Sequence, residues 1–289
     1  MFHKIAVFGL GLLGGSLAQA LKKGSRDIEI TAFGRDPGKI RPALEDGCVN
    51  SIGDAANPDL TGVGLVVVSV PVIASVAIIR SILDNPTLNE KALVIDVGSV
   101  KEEIVRSVAG HDRAAQFIGC HPMAGSEKSG YEYVEADLYD RSSVIITPHE
   151  KNRPVDIDTI AGLWQSLNAR TVVVPPELHD LVVACTSHLP HMVSCAVAEQ
   201  LMKSGLKEQL GEDLASFIGK GFMDVTRIAA GSPDMWREIC LMNREKISDA
   251  MSDIIAGLVS LKGVLERSNG SGDELLRYFT DIKNFREPM

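Results

Sequence analysis

"KIAVFGLGLLGG", residues Lys4 to Gly15, joins a short apolar run to a glycine-rich turn. Gly9, Gly11 and Gly14 follow the pattern G-x-G-x-x-G, and a helix-like stretch begins directly after them. In a strand–turn–helix unit the first glycine permits a tight turn, the second admits a pyrophosphate, and the third lets the helix pack closely. A glycine-rich turn without a ligand is the alternative, which the agreement of strand, motif and helix disfavours. The predicted cofactor-binding residues of this turn are Gly9, Gly11, Leu12, Leu13 and Gly14.

The bulk properties describe an ordinary globular protein. The chain has 289 residues, a length that suits two domains, with 45 % hydrophobic and 23 % charged residues. Its formal net charge of -9 argues against nucleic acid or an anionic membrane as the main partner. An anionic ligand would therefore have to be held by local positive residues.

The cysteines and the N-terminus predict a cytoplasmic location. Five scattered cysteines without a CxxC pattern fit neither a disulfide framework nor a zinc site. The chain enters a strand at once, without an apolar region and cleavage site that would mark a signal peptide. We also expect no segment long enough to span a membrane.

The strand-like runs occupy only the first part of the chain. Their alternation with helix-like stretches predicts a doubly wound, mainly parallel sheet. After Pro175 and Pro176 the chain shows helical patterns only. We therefore expect an α/β Rossmann-like N-terminal domain over residues 1–174 and an all-helical C-terminal domain over residues 175–289. The runs read as strands are KIAVFGL, IEITAFG, GLVVVSV, ALVIDVG, FIGCHP, SVIITP and TVVVPP.

A long helix is predicted near the C-terminus. Ser232 and Pro233 resemble its N-cap and first position, and the stretch from Asn269 to Gly272 would end it. Apolar residues recur within it at alternating spacings of four and three, which is typical of a helix-packing seam. Packing within one domain and pairing between subunits both remain open. The seam residues are Ile247, Met251, Ile254, Leu258, Leu261 and Leu265.

Polar residues follow several predicted strands of the sheet. The stretch Ser69-Val70-Pro71 follows one strand, and Ser99 follows the next. His121, in "GCHPMAGSEKSG", lies at the end of a third. Ligands of open α/β sheets bind at this carboxyl edge, so these residues are site candidates. A hydrogen-bonded structural histidine is the alternative for His121. Cys120 should point to the opposite face and not pair with it.

The helical part offers further candidates. His188 and His191 lie three residues apart in "TSHLPH", beside Pro190. Core histidines are the alternative to a functional pair, and no third metal ligand is apparent, so we expect no metal. Arg227 follows Asp224 by three residues. A surface ion pair is the ordinary interpretation, but apolar neighbours favour a partly buried arginine that grips a carboxylate.

These motifs together resemble a known family. "GLGLLGGSLA", "DVGSVK", "GCHPMAGSEKSG", "TSHLPH" and "DVTRIAAGSPDMW" are similar, in order and over nearly the whole chain, to the prephenate and arogenate dehydrogenases of tyrosine biosynthesis. The resemblance implies oxidative decarboxylation of prephenate to 4-hydroxyphenylpyruvate with a nicotinamide cofactor, in a homodimer. Arogenate remains the alternative substrate. A β-hydroxyacid dehydrogenase and a nucleotide-sensing regulator are less well matched.

The resemblance also implies residue roles. His121 would accept a hydrogen bond from the ring hydroxyl of the substrate, and Ser99 would steady both groups. Arg227 would hold a substrate carboxylate, while the other residues would shape or gate the pocket. The substrate-binding residues expected in this way are Arg227, His191, Ser126, Glu127, Asp180 and Trp236.

The second strand bears on the choice of cofactor. An acidic residue at its end would bind the adenosine ribose and repel a 2′-phosphate. Here Gly34 takes that place, and Arg35 follows with a guanidinium suited to a phosphate. Asp36 is the complication, since a small shift of the turn would bring it to the ribose. We expect NADP to be preferred over NAD by a modest margin. A solvated Arg35 remains the alternative.

Overall fold

The structure is a computed structural model that describes residues 2–25, 27–125, 128, 130–268 and 272–288. Two predicted substrate contacts, Ser126 and Glu127, lie outside the described residues. The chain forms two compact units, Met1–Arg244 and Glu245–Met289. The division into domains at residue 174 remains a prediction.

The first unit is built on one eight-stranded sheet of order β3-β2-β1-β4-β5-β6-β7-β8. All neighbouring strands are parallel except β6 and β7, which confirms the predicted mainly parallel sheet. The order runs outward in both directions from β1 and β4, so their carboxyl ends flank the point where the strand order reverses. The strands are β1 (Lys4–Phe8), β2 (Glu29–Phe33), β3 (Ser51–Ile52), β4 (Leu65–Val68), β5 (Leu93–Asp96), β6 (Phe117–Pro122), β7 (Ser143–Thr147) and β8 (Arg170–Val173).

Helices connect the strands and make up the rest of the chain. Short 3₁₀ turns at Ala114–Gln116, Tyr131–Tyr133, Gly211–Phe217 and Arg227–Ala230 join some of them. The α-helices in the described ranges are α1 (Leu12–Gly24), α2 (Pro37–Glu45), α3 (Val72–Asp84), α4 (Glu102–Ala109), α5 (Pro154–Ser166), α6 (Pro176–Val183), α7 (Leu189–Lys203), α8 (Leu206–Leu210), α9 (Lys220–Thr226), α10 (Pro233–Met242), α11 (Arg244–Arg267) and α12 (Asp273–Arg286).

The central strands are apolar throughout because both of their faces are covered. Every residue of Leu65–Val68 and of Leu93–Asp96 is buried. Alternate side chains enter two apolar clusters, so that Val67 belongs to one and Val66 to the other. Continuous apolar runs are typical of such doubly covered parallel strands. The sequence predicts seven of the strands and misses Ser51–Ile52, which has only two residues paired with β2.

The predicted long C-terminal helix is divided in two. Ser232 does cap α10, since its side chain accepts a hydrogen bond from the backbone N–H of Met235. At Asn243 the backbone leaves helical geometry, with φ -120° and ψ 32°. The Asn243 side chain donates to the carbonyl of Asp180 (2.9 Å), a tertiary contact that the local pattern does not reveal.

Residues Ala184–His188 form a π-helical segment between α6 and α7. A π-segment accommodates one extra residue in a helix and changes the direction of the side chains that follow. Pro190 lies in the first turn of α7, where a proline is tolerated. The helix is therefore widened just before Pro190, and the proline itself does not interrupt it.

The helical stretch Pro176–Lys203 is long and apolar enough to cross a membrane by length and composition. This corrects the expectation that no segment reaches that length. The criterion is weak evidence for a membrane span, because long helices of globular proteins meet it too. Here the stretch carries buried polar side chains, and Asp180 accepts hydrogen bonds from the backbone of the α/β part.

The second unit contains most of α11 together with α12. Of the predicted seam, Ile247 is buried, whereas Leu258 and Leu265 are 55 % and 63 % exposed. Large apolar side chains on α12 are exposed as well, including Phe279 and Phe285. These two helices therefore present apolar surface that the single chain leaves in solvent.

Candidate active site

The glycine-rich turn after β1 depends on close backbone contacts. Gly9 has φ +90°, and a Cβ atom there would lie 2.2 Å from the carbonyl oxygen of Ser69. A Cβ atom at Gly14 would lie 2.1 Å from the carbonyl oxygen of Gly9. Both distances are too short for any side chain, so these two glycines are required by the turn itself.

Gly11 differs from its neighbours because a Cβ atom there would meet no atom within 4 Å. It is the N-cap of α1, and no side chain among the described residues caps this helix end. Leu12 and Leu13 begin the helix. The open space and the uncapped N–H groups fit the pyrophosphate of a dinucleotide, which helix N-termini bind through backbone donors and the helix dipole.

Ser69, Val70 and Pro71 follow the carboxyl end of β4, as predicted. The backbone N–H of Ser69 donates to the carbonyl of Phe8 at 2.7 Å. The Ser69 hydroxyl lies beside the position that a Gly14 side chain would take. This segment therefore packs directly against the glycine-rich turn at the carboxyl ends of β1 and β4.

The turn after β2 contains two charged residues, Arg35 and Asp36, with different surroundings. Asp36 is the N-cap of α2, and its carboxylate accepts the backbone N–H of Gly38 at 3.0 Å. Arg35 is exposed, and its guanidinium makes no ion pair within the described ranges. Gly34 lies between this arginine and the end of β2, against the side chain of Ile40.

A buried ion pair joins the ends of β5 and β6. Asp96 and Lys101 pair through side chains that are 0 % exposed. Backbone pairing between these strands stops at Ile95 and Ile118. Beyond that point Lys101 Nζ donates to the Cys120 carbonyl (2.9 Å), and the Cys120 N–H donates to Asp96 (3.3 Å). Two side chains thus hold the backbone immediately before His121.

His121 is the next-to-last residue of β6 and is 9 % exposed. Burial holds the pKa of His121 well below its usual range, and nearby His179, Lys101 and His188 lower it further. The imidazole is therefore neutral near pH 7 and can accept a proton. Burial raises the pKa of the Cys120 thiol to about 12, so it remains protonated and is no nucleophile.

His121 contacts a second histidine that the sequence interpretation does not single out. Its Nδ1 lies 2.8 Å from Nε2 of His179 on α6. His179 Nδ1 in turn lies 2.7 Å from Oδ1 of Asp180. Both residues are buried, and Asp180 also accepts the N–H groups of Lys101 and Glu102 at the start of α4. The signal in the sequence is the dipeptide His179-Asp180, whose importance appears only when the fold places α6, packed against α4 and β7, beside His121.

Ser99 lies three residues beyond β5, in the loop before α4, and is half-buried. Since β5 and β6 are neighbours, Ser99 and His121 come to the same edge of the sheet. No side-chain hydrogen bond of Ser99 is found in the part of the chain that the structure describes. Its predicted role toward His121 stays a prediction.

His191 and Trp236 form a stacked pair. Their ring centroids are 3.5 Å apart and the planes differ by 9°. His191 is 4 % exposed, and its Nδ1 atom makes no hydrogen bond of good geometry among the described residues, although the backbone of Ile228 lies near enough to oppose the burial that lowers the pKa of His191. A buried nitrogen without a partner is costly, which is understandable where a ligand supplies the hydrogen bond.

His188 is a structural histidine, which agrees with the alternative interpretation of this residue as a core histidine. It is 1 % exposed, and its Nδ1 lies 3.2 Å from the side-chain amide of Asn243. Burial lowers the pKa of His188 to about 4, so the ring is neutral. The pair in "TSHLPH" therefore divides into a satisfied core residue and one with a free nitrogen.

Arg227 begins the 3₁₀ turn after α9 and is exposed, which corrects the expectation of a partly buried side chain. Neither α9 nor this turn contains a buried residue, so the apolar neighbours of Arg227 form no core that could cover its side chain. Its guanidinium forms no ion pair with Asp224 or with any other described residue. The ordinary interpretation as a surface ion pair is thus not observed, and all five donors remain available.

No group of three or more His, Cys, Asp or Glu side chains is placed to hold a metal ion in the residues searched, which are those the structure describes. All five cysteines are free.

Comparisons with known proteins agree on one family. The model "Prephenate dehydrogenase, nucleotide-binding domain" matches residues 17–173, and "Prephenate dehydrogenase, dimerization domain" matches residues 175–281. The chain is 32 % identical to a prephenate dehydrogenase of Bacillus subtilis, over 100 % of this chain and 76 % of the relative. It is 30 % identical to a cyclohexadienyl dehydrogenase of Zymomonas mobilis, over 99 % and 96 %.

Solved structures give the same result. The prephenate dehydrogenase of A. aeolicus, in complex with hydroxyphenyl propionate and NAD+, matches with a TM-score of 0.91 and 31 % identity, covering 100 % of this chain and 98 % of that one. The arogenate dehydrogenase of Synechocystis matches with a TM-score of 0.79 and 28 % identity, covering 99 % of each chain.

Proposed function

Because the chain belongs to the prephenate dehydrogenase family of oxidoreductases, we propose that it converts prephenate to 4-hydroxyphenylpyruvate and carbon dioxide with NAD(P)+. The observation that carries this proposal is His121. It is a neutral, buried imidazole at the carboxyl ends of the parallel strands, where Ser69 and the glycine-rich turn also lie.

The proposed reaction needs no covalent intermediate between substrate and protein. When bound, NAD(P)+ supplies the hydride acceptor, and Gly9, Gly11 and Gly14 with the start of α1 would hold its pyrophosphate. As the ring carbon loses hydride, its hydroxyl becomes acidic and His121 accepts the proton. Departure of carbon dioxide then leaves its bonding electron pair in the ring, which becomes aromatic, and the ring oxygen takes the proton back from His121.

The free polar groups of the helical part supply substrate contacts in this proposal. Arg227 would bind a carboxylate through two hydrogen bonds, and His191 would offer its unpartnered Nδ1 to a substrate oxygen. Trp236 fixes the His191 ring by stacking. Ser99 is proposed to orient the hydroxyl and His121. Ser126 and Glu127 are further pocket residues implied by the resemblance, whereas Asp180, whose carboxylate accepts from Lys101, Glu102 and His179, shapes the pocket from behind His121.

Arogenate is the second candidate substrate, because one similar structure is an arogenate dehydrogenase and one relative is a cyclohexadienyl dehydrogenase. The two substrates differ in the side chain, which has a keto group in prephenate and an amino group in arogenate. We propose prephenate on the likeness to the Bacillus subtilis and A. aeolicus prephenate dehydrogenases.

Steady-state kinetics with prephenate and arogenate, followed by the absorbance of the reduced nicotinamide, test the proposed activity. We expect the larger kcat/KM with prephenate.

His121→Asn should bind both ligands and lose about two to four orders of magnitude in kcat, the range for a positioned base. An unchanged kcat would show that His121 is only structural.

Arg227→Ala should raise KM for prephenate roughly tenfold to a hundredfold and change kcat far less. Loss of a charge-assisted contact costs about 1.5–3 kcal/mol in binding. Arg237→Ala is the matched control, since Arg237 is an exposed arginine already paired with Asp234. Equal KM values in the two variants would remove Arg227 from the substrate site.

For the cofactor, we propose a modest preference for NADP over NAD. Asp36 is engaged at the N-terminus of α2, which leaves the unpaired Arg35 to meet a 2′-phosphate. Arg35→Ala should abolish the preference in kcat/KM, whereas Arg41→Ala on the exposed side of α2 should keep it. A clear preference of the wild type for NAD would assign the ribose to Asp36.

We further propose a cytoplasmic homodimer, with residues 175–289 as the substrate and dimerisation domain. The exposed seam on α11 supports it, together with the match to a dimerization domain. Light scattering should give twice the 31.1 kDa of one chain. Leu258→Glu should yield monomer, while Leu44→Glu, on exposed α2, should not. An active wild-type monomer would contradict the proposal.

A further inference from the structure

The Asp180 carboxylate determines where the protons lie in the cluster behind His121. Oδ1 accepts the backbone N–H of Lys101 at 2.8 Å, and Oδ2 accepts that of Glu102 at 3.0 Å. Both oxygens are thus hydrogen-bond acceptors at the N-terminus of α4, where a negative charge is favoured. A group that lies against this carboxylate must donate.

His179 is the donor. Its Nδ1 is 2.7 Å from Asp180 Oδ1 and therefore carries a proton. In a neutral imidazole the other nitrogen is then an acceptor. With His179 neutral, its Nε2 accepts from His121 Nδ1 at 2.8 Å, which makes His121 Nδ1 the protonated partner of that pair.

The consequence lies on the far side of the His121 ring. With its proton on Nδ1, the neutral ring has a bare Nε2. This atom makes no hydrogen bond in the part of the chain that the structure describes. The other ionisable groups that face His121 are Lys101, held by Asp96 and the Cys120 carbonyl, and the neutral His188. None of them accepts a proton from His121 Nδ1.

We propose that His179 is a positioning residue which, backed by Asp180, holds His121 in the tautomer whose Nε2 accepts the substrate's hydroxyl proton. This rests on the proposed function of His121. Without His179 the ring is free to carry its proton on Nε2, where it would donate to the hydroxyl and could not take its proton. A wrong tautomer of this kind is costly in other enzymes, with losses of about 10⁴-fold for a histidine deprived of its orienting carboxylate.

Two variants separate positioning from packing. His179→Met fills a similar volume without an acceptor, whereas His179→Gln places an amide oxygen within reach of His121 Nδ1. We expect His179→Met to lose about two orders of magnitude or more in kcat, with KM for substrate and cofactor within threefold of wild type. His179→Gln should recover at least tenfold of that loss. Thermal unfolding of both variants monitors the fold.

Nitrogen-15 NMR of the protein with labelled histidine tests the tautomer directly and needs no substrate. In the wild type His121 should show a protonated Nδ1 and a pyridine-like Nε2, and this pattern should be lost in His179→Met. The His121→Asn variant assigns the signals. Because the measurement does not depend on turnover, it distinguishes a failure of this inference from a failure of the proposed activity.

Three results would overturn the inference. The first is a protonated Nε2 at His121 in the wild type. The second is a kcat in His179→Met within threefold of wild type. The third is an equal loss of kcat in the Met and Gln variants accompanied by lower thermal stability, which would make His179 a packing residue.

Discussion

The buried ion pair between Asp96 and Lys101 holds together the parts on which the site depends. Backbone pairing between β5 and β6 ends at Ile95, and beyond that point the ion pair takes its place. Its two side chains bind the backbone carbonyl and the backbone N–H of Cys120. The backbone N–H of the same lysine donates to Asp180. Removal of one member would leave the other charge buried alone, at a cost of about 3–5 kcal/mol. The sheet, the strand that carries His121 and the helical part therefore meet at one pair of charges.

Much of the fold follows from local pattern, because doubly covered strands are apolar throughout and a dinucleotide turn needs glycines at fixed spacing. Gly9 and Gly14 are required because a Cβ atom at these positions would lie 2.2 and 2.1 Å from backbone oxygens, a constraint that the motif already implied. The position of His121 at the sheet edge was predictable for the same reason, since parallel strands share one carboxyl edge. The two-residue strand Ser51–Ile52 was not, because so short a segment carries no periodic signal.

The remaining parts of the site arise from contacts between distant segments, which local pattern does not encode. His179 lies 58 residues from His121 in the chain yet shares a hydrogen bond with it. Asn243 ends α10 because its side chain reaches Asp180 and His188, not because its neighbours disfavour a helix. Arg227 is exposed where apolar neighbours predicted partial burial. In each case a tertiary partner, or the lack of one, overrides the local preference.

The π-helical segment at Ala184–His188 constrains how sequences of this kind can diverge. Each residue of a helix turns the side chains after it by about 100°. A single deletion here would restore a regular helix and rotate α7, so that His191 would leave Trp236. Substitution at the exposed Cys185 and Thr186 has no such effect. The length of this segment is therefore constrained more strictly than the identity of its exposed residues, while the buried His188 is held by its contact with Asn243.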